Sequence, residues 1–271
     1  MNRFILTILV LLILVTFKPA LGENNPELTF NISGKKETVI DLYELKNKLD
    51  SKTITLKDPY YKKQKKYRAF VLKDVLDLAY GNKWKSDKFS DISFRAKDGY
   101  EAVSDLSKLS EDGCYLVFDD LENNGWEKIG EKNQIPGPYY IVWKGAHQTA
   151  KYGYPWPWQL FSINLMLFSN QYPEVYPKGV SKDSSVYKGF ELVKKRCVRC
   201  HSINKQGGKV GPDLNAPMNI LEYIPVNMVK EFIRHPSKYR YTYMPDNEDL
   251  SVEQLNNIID YLWFKYREKK K

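Results

Sequence analysis

One short stretch constrains this chain more than any other: Cys197-Val198-Arg199-Cys200-His201. Two thiols at this spacing lie about one helical turn apart, and an imidazole follows the second directly. C-x-x-C-H is the attachment pattern of a c-type haem. Each thiol forms a thioether to one haem vinyl group, and the imidazole binds the iron from the proximal side. The surrounding chain must then supply an apolar shell and a second axial ligand or an open position.

The same residues admit two other chemistries. C-x-x-C alone serves as a thiol–disulfide pair or as half a zinc site. A redox thiol pair follows a strand at a helix start, and no strong strand signal precedes Cys197. A zinc site lacks partners, because only Cys114, His147 and His235 remain. Cys114 has no intrachain partner, which excludes a disulfide framework, and is expected to be a small buried hydrophobe.

The N-terminus suits a haem attached outside the cytoplasm. Met1-Asn2-Arg3 is a short positive start, Phe4 to Phe17 is almost wholly apolar, and Ala20-Leu21-Gly22 offers small residues before Glu23. This is the layout of a secretory signal over residues 1–22. The alternative is an uncleaved membrane anchor, but the apolar run is shorter than the roughly 20 residues a span needs. The expected location is the periplasm, with membrane association only if the segment is retained.

The formal net charge is +9, and from Lys178 to Lys271 there are 18 Lys and Arg against 11 Asp and Glu. For an exported haem protein this excess points to an acidic redox partner rather than to nucleic acid.

The chain divides near Asn170. Residues 171–184, rich in proline and small polar residues, read as a linker. Residues 23–170 carry strand signals at Glu27–Ile32, Asp91–Phe94, Cys114–Phe118, Tyr139–Trp143 and Trp158–Leu165. Helical spacing appears at Asp41–Leu49 and Leu72–Ala79, and Asp98-Gly99 marks a hairpin turn. Together these predict an α+β domain. Residues 185–271 predict an all-α domain: a helix over Val186–Arg196, one or two short helices within Leu221–Arg234, and a long amphipathic helix. Ser251 caps that last helix, with Glu253 close behind. The fold class is therefore two-domain, α+β followed by all-α.

Met244 lies 43 residues after His201, in Tyr243-Met244-Pro245. A loop of that length can present a thioether to the opposite haem face, and His/Met ligation raises the reduction potential relative to two imidazoles. Met218, Met228 and His235 compete for that role. Met228 sits at apolar helical spacing and reads as core.

Residues 185–266 resemble the class I cytochrome c family. Gly189-Phe190, the C-x-x-C-H motif, Gly211-Pro212-Asp213-Leu214, Met244-Pro245 and the Leu262-bearing helix fall in the family's order. The resemblance implies covalent haem c on Cys197 and Cys200, His201 as proximal ligand and Met244 as distal ligand. It also implies that the Pro212 carbonyl accepts the imidazole N–H, and that Gly189 lets the first and last helices cross near Tyr261 or Leu262. Val193 departs from the aromatic residue that many members carry.

The N-terminal domain is less specific. Ile135 to Tyr140 and Tyr152 to Trp158 form a proline-stiffened aromatic segment, which reads as a wall for a ligand or for the haem domain, or as a plug in its own core. Asp119-Asp120-Leu121-Glu122 reads as a solvated turn. Residues 27–168 also resemble the sulfite-oxidase-type molybdopterin-binding fold, through Tyr67 to Leu76, Lys97 to Tyr100 and the Tyr-Pro-Trp segment. No cysteine stands near Ile54 to Asp58, where that family places its metal ligand. Three functions follow: an electron carrier with a docking domain, an oxidoreductase whose N-terminal domain binds a substrate or molybdopterin-like cofactor, and a haem sensor or assembly module. The carrier is the preferred reading.

Overall fold

The computed structural model describes residues 25–130, 133–242 and 244–270. The segment predicted from sequence to be a secretory signal, residues 1–22, lies outside them.

The first described elements form a hairpin, β1 (Glu27–Ile32) and β2 (Lys35–Asp41), in which Leu28 and Phe30 alternate inward. Asp41 caps the short helix α1 (Leu42–Lys48) by accepting from the Glu44 amide. Strands β3 (Lys52–Asp58) and β4 (Lys63–Val71) pair antiparallel and lead into α2 (Leu72–Tyr80). The Asp98-Gly99 turn joins β5 (Asp91–Ala96) to β6 (Glu101–Asp105) as the sequence predicts. Then follow β7 (Cys114–Asp120), β8 (Tyr140–Trp143), β9 (Leu160–Met166) and the single turn α3 (Phe168–Gln171).

These strands build two sheets, ordered β2-β1-β9-β5-β6 and β3-β4-β7-β8. All pairings are antiparallel except β1 with β9. One hydrophobic cluster draws on both sheets and on α2, through Phe30, Phe94, Ile163, Leu76, Tyr67 and Ile141 among others. The region is more β-rich than its sequence signals suggest, since β2, β3 and β4 carry none of the strand signals read above. Cys114 is buried in this core. So are Tyr154 and Trp156, which makes most of the Tyr-Pro-Trp segment a plug in its own domain.

The acidic run at Asp119 is not simply a solvated turn. Asp120 is fully buried and holds the buried Lys65 ammonium at 2.8 Å, with Glu127 completing the cage at the same distance. A buried ammonium is tolerated only with such partners.

The C-terminal region begins with α4 (Ser185–Arg196), capped by the Ser184 hydroxyl, which accepts from Tyr187 N–H. A two-residue ladder, β10 (Ser202–Ile203) with β11 (Gln206–Gly207), interrupts the otherwise helical domain. Helices α5 (Ile220–Tyr223), α6 (Val226–Arg234) and α7 (Val252–Lys269) complete it. Ser251 caps α7 through a capping box closed by Gln254, not by Glu253. Gly189 makes the crossing of α4 and α7 possible: a Cβ there would lie 1.9 Å from the Asn257 carbonyl oxygen and 3.0 Å from Tyr261 Cβ.

The back face of the five-stranded sheet meets this second domain. Val103 of β6 and Met166 of β9 join the core formed by Phe190, Val193 and Tyr261. Phe168, Tyr172 and Val175 join it too, and the Tyr261 hydroxyl donates to the Val175 carbonyl at 2.7 Å. Lys194 of α4 is buried against Asp91 and against Asp105 at 3.3 Å. Burial alone would lower its pKa, but these carboxylates outweigh that and keep the ammonium charged.

Replacing Lys194 leaves Asp91 buried without its cation. Lys194→Met is expected to lower stability by about 3–5 kcal/mol, and adding Asp91→Asn is expected to restore part of the loss. Chemical denaturation of the three variants checks both.

Candidate functional site

Helix α4 ends where the Cys–His motif begins. Cys197 is its C-cap, with N–H donated to the Val193 carbonyl at 2.8 Å. The next turn continues tightly: Cys200 N–H donates to the Cys197 carbonyl at 3.0 Å and His201 N–H to the same oxygen at 2.8 Å. Both thiols and the imidazole therefore emerge within one turn.

All three line a cavity of about 540 Å³, and Met244 lines it as well. Leu214, Ile233 and Leu262 contribute apolar walls. The structure thus brings together Cys197, Cys200, His201, Pro212 and Met244 around one space. Met228 also lines that space but is half-exposed rather than core. Met218 is half-exposed and does not line it, and neither does His235.

The imidazole is held from behind. His201 Nδ1 lies 2.8 Å from the Pro212 carbonyl oxygen. That contact assigns the proton to Nδ1 and leaves Nε2 as the lone-pair nitrogen. Burial depresses the His201 pKa, offset in part by the Pro212 carbonyl and Asp213, which favours the neutral ring that a metal requires. Gly211 is required by space: a Cβ there would lie 2.5 Å from His201 Cε1.

The thiols are not poised for exchange chemistry. Burial pushes both Cys197 and Cys200 up to about 11, with Arg199 only partly offsetting it. A reactive dithiol needs the opposite shift. Among the described residues no group of three His, Cys, Asp or Glu is arranged to hold a metal ion, so the zinc alternative finds no support. Two protonated thiols one turn apart, a neutral imidazole, a thioether and apolar walls fit a covalently attached haem.

Two residues that sequence reasoning left without a role organise this cradle. Asp213 accepts five hydrogen bonds. Its Oδ1 takes the amides of Asn204, Asn215 and Ala216 at 3.2, 2.8 and 2.8 Å, and its Oδ2 takes the Lys205 amide at 2.6 Å and the Ser202 hydroxyl at 2.8 Å. It ties the loop carrying Pro212 to the segment after His201. Asn247 does the same for the Met244 loop: its Nδ2 donates to the carbonyls of Ile233 and Pro245, both at 3.0 Å. Asp213 had a family position as its only signal, and Asn247 had none.

Comparison with known families agrees with this geometry. Residues 186–264 match the family model described as Cytochrome c. The match covers under a third of the chain and lies wholly in the C-terminal domain, so it says nothing of the resemblance of residues 27–168 to the molybdopterin-binding fold. A search of curated proteins found no match.

Burial raises the Asp213 pKa, but the donated amides and the Ser202 hydroxyl outweigh it, so its carboxyl lies below the ordinary value. Its contribution to stability is complete above the unfolded pKa of about 4 and is lost as pH falls toward the lower folded value. Asp213→Asn is expected to cost about 1–2 kcal/mol at pH 7, since the group is half-exposed. It should also flatten the loss of stability below pH about 4, which acid titrations of both proteins measure.

Through its match to the Cytochrome c family over residues 186–264, the C-terminal domain is a cytochrome c domain that carries covalently bound haem c and serves electron transfer.

Proposed function

We propose that the protein is an exported, periplasmic electron carrier. In this reading Cys197 and Cys200 hold the haem, His201 and Met244 are its axial ligands, and the N-terminal domain docks or positions a redox partner. The observation that carries it is the convergence of all four side chains on one cavity. When bound, the haem supplies a one-electron couple between Fe(III) and Fe(II). The chain's residues do the rest. The Pro212 carbonyl orients the imidazole, the loop pinned by Asn247 presents the Met244 sulfur, and the apolar walls keep water from the iron. His201 and Met244, on one cavity, would together hold the iron, a donor set that suits a carrier rather than a catalyst.

Export is supported by the N-terminal segment and by the requirement of haem attachment for it. Among the described residues no helix is long and apolar enough to cross a membrane. The net charge of +9 supports an acidic partner surface, because unlike charges speed encounter.

A second reading has one observation in its favour. The five-stranded sheet holds a polar cavity of about 300 Å³ bordered by Asn31, Ser93, Arg95, Glu101 and Asn164. A domain with such a space suits a haem-containing oxidoreductase that binds a substrate or cofactor there. Stoichiometric molybdenum or an organic cofactor in the purified full chain would favour this reading over the carrier.

Two outcomes test the carrier. Met244→Ala is expected to abolish the weak sulfur-to-iron absorption at the red end of the oxidised spectrum, whereas an unchanged band would assign the ligand elsewhere. Electron transfer to an acidic partner protein is expected to slow about tenfold or more as ionic strength rises from 0.01 to 0.15 M, since the screening length falls from about 30 to about 8 Å. Salt-independent rates would contradict charge-driven docking.

A further inference from the structure

One face of the five-stranded sheet is core: Leu28, Phe30, Phe94 and Ile163 belong to the hydrophobic cluster of the N-terminal domain. The opposite face divides. At one end Val103 and Met166 pack on the cytochrome domain. Beside them two rungs of polar side chains cross the strands. Pairing sets Thr29 of β1 beside Ser162 of β9, Ser162 beside Arg95 of β5, and Arg95 beside Glu101 of β6. The next rung sets Asn31 beside Asn164 and Asn164 beside Ser93.

Polar side chains on an outward sheet face ordinarily meet water. Here four of them are withdrawn from it: Ser93, Glu101, Ser162 and Asn164 are each no more than 8 % exposed. Burying such groups costs free energy unless each finds a partner. They line the cavity of about 300 Å³, a volume at the lower limit for small-molecule sites. The β1–β2 turn and α3 wall one end of it. Gly34, at φ +79°, donates its amide to Asn164 Oδ1 at 2.9 Å, and a Cβ there would lie 3.2 Å from the Gln171 side-chain amide. A bulge in β9 leaves Phe161 without a partner on β5, and Phe161 lines the cavity as well.

Charge and hydrogen-bonding capacity define what fits. Arg95 Nη2 meets Glu101 Oε2 at 2.9 Å, so the one cation and the one anion lining the cavity neutralise each other. Glu101 Oε1 is further engaged by the hydroxyls of Tyr172 and, at 3.2 Å, Ser93. No surplus charge is left to select an ion. The remaining capacity is of both kinds. Asn31 Nδ2 donates to Ser162 Oγ at 2.7 Å, which leaves the Ser162 hydroxyl free to donate and the Asn31 side-chain oxygen free to accept. Asn164 Nδ2 has only the Met166 sulfur, at 3.6 Å. Among the described residues the Gln171 side chain, which also lines the cavity, makes no hydrogen bond.

A neutral space ringed by both donors and acceptors suits hydroxyl groups, each of which donates and accepts at once. A carboxylate or phosphate offers acceptors alone and an ammonium donors alone, and each would bring a charge with no counter-charge to meet it. We propose that this cavity binds a small neutral polyhydroxylated molecule of monosaccharide size. Its hydroxyls would engage Asn31, Ser162, Asn164 and Gln171, and its C–H face would lie toward Phe161. This gives a ligand class to the cavity of the second reading, concerns binding alone, and does not depend on the haem.

The test is isothermal titration calorimetry of the full purified chain with D-glucose, D-galactose, D-mannose and D-ribose at millimolar concentrations. Sodium acetate, sodium phosphate and ammonium chloride are the charged comparisons. No electron acceptor is present, so binding is read apart from any turnover. Saturable binding of at least one sugar is expected, and of none of the salts. Gln171→Ala and Asn31→Ala are each expected to weaken that binding about fivefold or more. Both side chains are partly exposed, so neither variant empties a core, and melting curves check that each folds. If Asn31→Ala melts early, because Asn31 supports Ser162, Gln171→Ala decides. No binding by any of the four sugars overturns the proposal, as does saturable binding of a salt in their place. Equal affinity in wild type and Gln171→Ala would seat the sugar elsewhere and overturn it too.

Discussion

Helices α4 and α7 approach so closely at Gly189 that the Asn257 carbonyl occupies the space of a side chain. Everything at the site is downstream of this contact. It sets the axis of α4, and α4 ends in Cys197, so the crossing decides where both thiols and His201 emerge. Phe190, Val193, Ile258 and Leu262 seal the crossing with apolar contact, worth roughly 1.5–3 kcal/mol for each fully buried large side chain. The cavity forms beside that seal rather than within it. Asp213 and Asn247 then fasten the two loops that close over it, one from the His201 side and one from the Met244 side.

The two domains pack against each other across one face of the five-stranded sheet. Lys194, Asp91 and Asp105 bury a compensated charge there, and Tyr172 donates to the buried Glu101 carboxylate. The Glu101 amide in turn reaches the Arg199 carbonyl inside the cysteine motif. The surface beside Cys200 is thus made by both domains.

The site was legible where its chemistry is local. Cys197, Cys200 and His201 declare themselves by spacing, and Met244 by its place in the chain. The Pro212 contact came with the family resemblance and stands in the structure at 2.8 Å. Gly189 was legible in kind, but its partner is Asn257 with Tyr261 behind, because crossing register depends on packing along the whole helix pair. What failed was long-range. Asp119-Asp120 reads as a solvated turn. That reading is mistaken because Asp120 and Lys65 bury each other across 55 positions of sequence. Lys194 is a similar case, a charge on a helix that looks exposed until the sheet supplies Asp91 and Asp105. No local pattern encodes such pairs.

The central claim is that Cys197 and Cys200 hold a haem covalently. Intact-mass spectrometry of the purified protein under denaturing conditions measures it most directly, combined with alkylation of free thiols. The expected result is a chain heavier by one haem, with Cys114 the only cysteine open to alkylation. A chain at its unmodified mass with all three cysteines alkylated would contradict it.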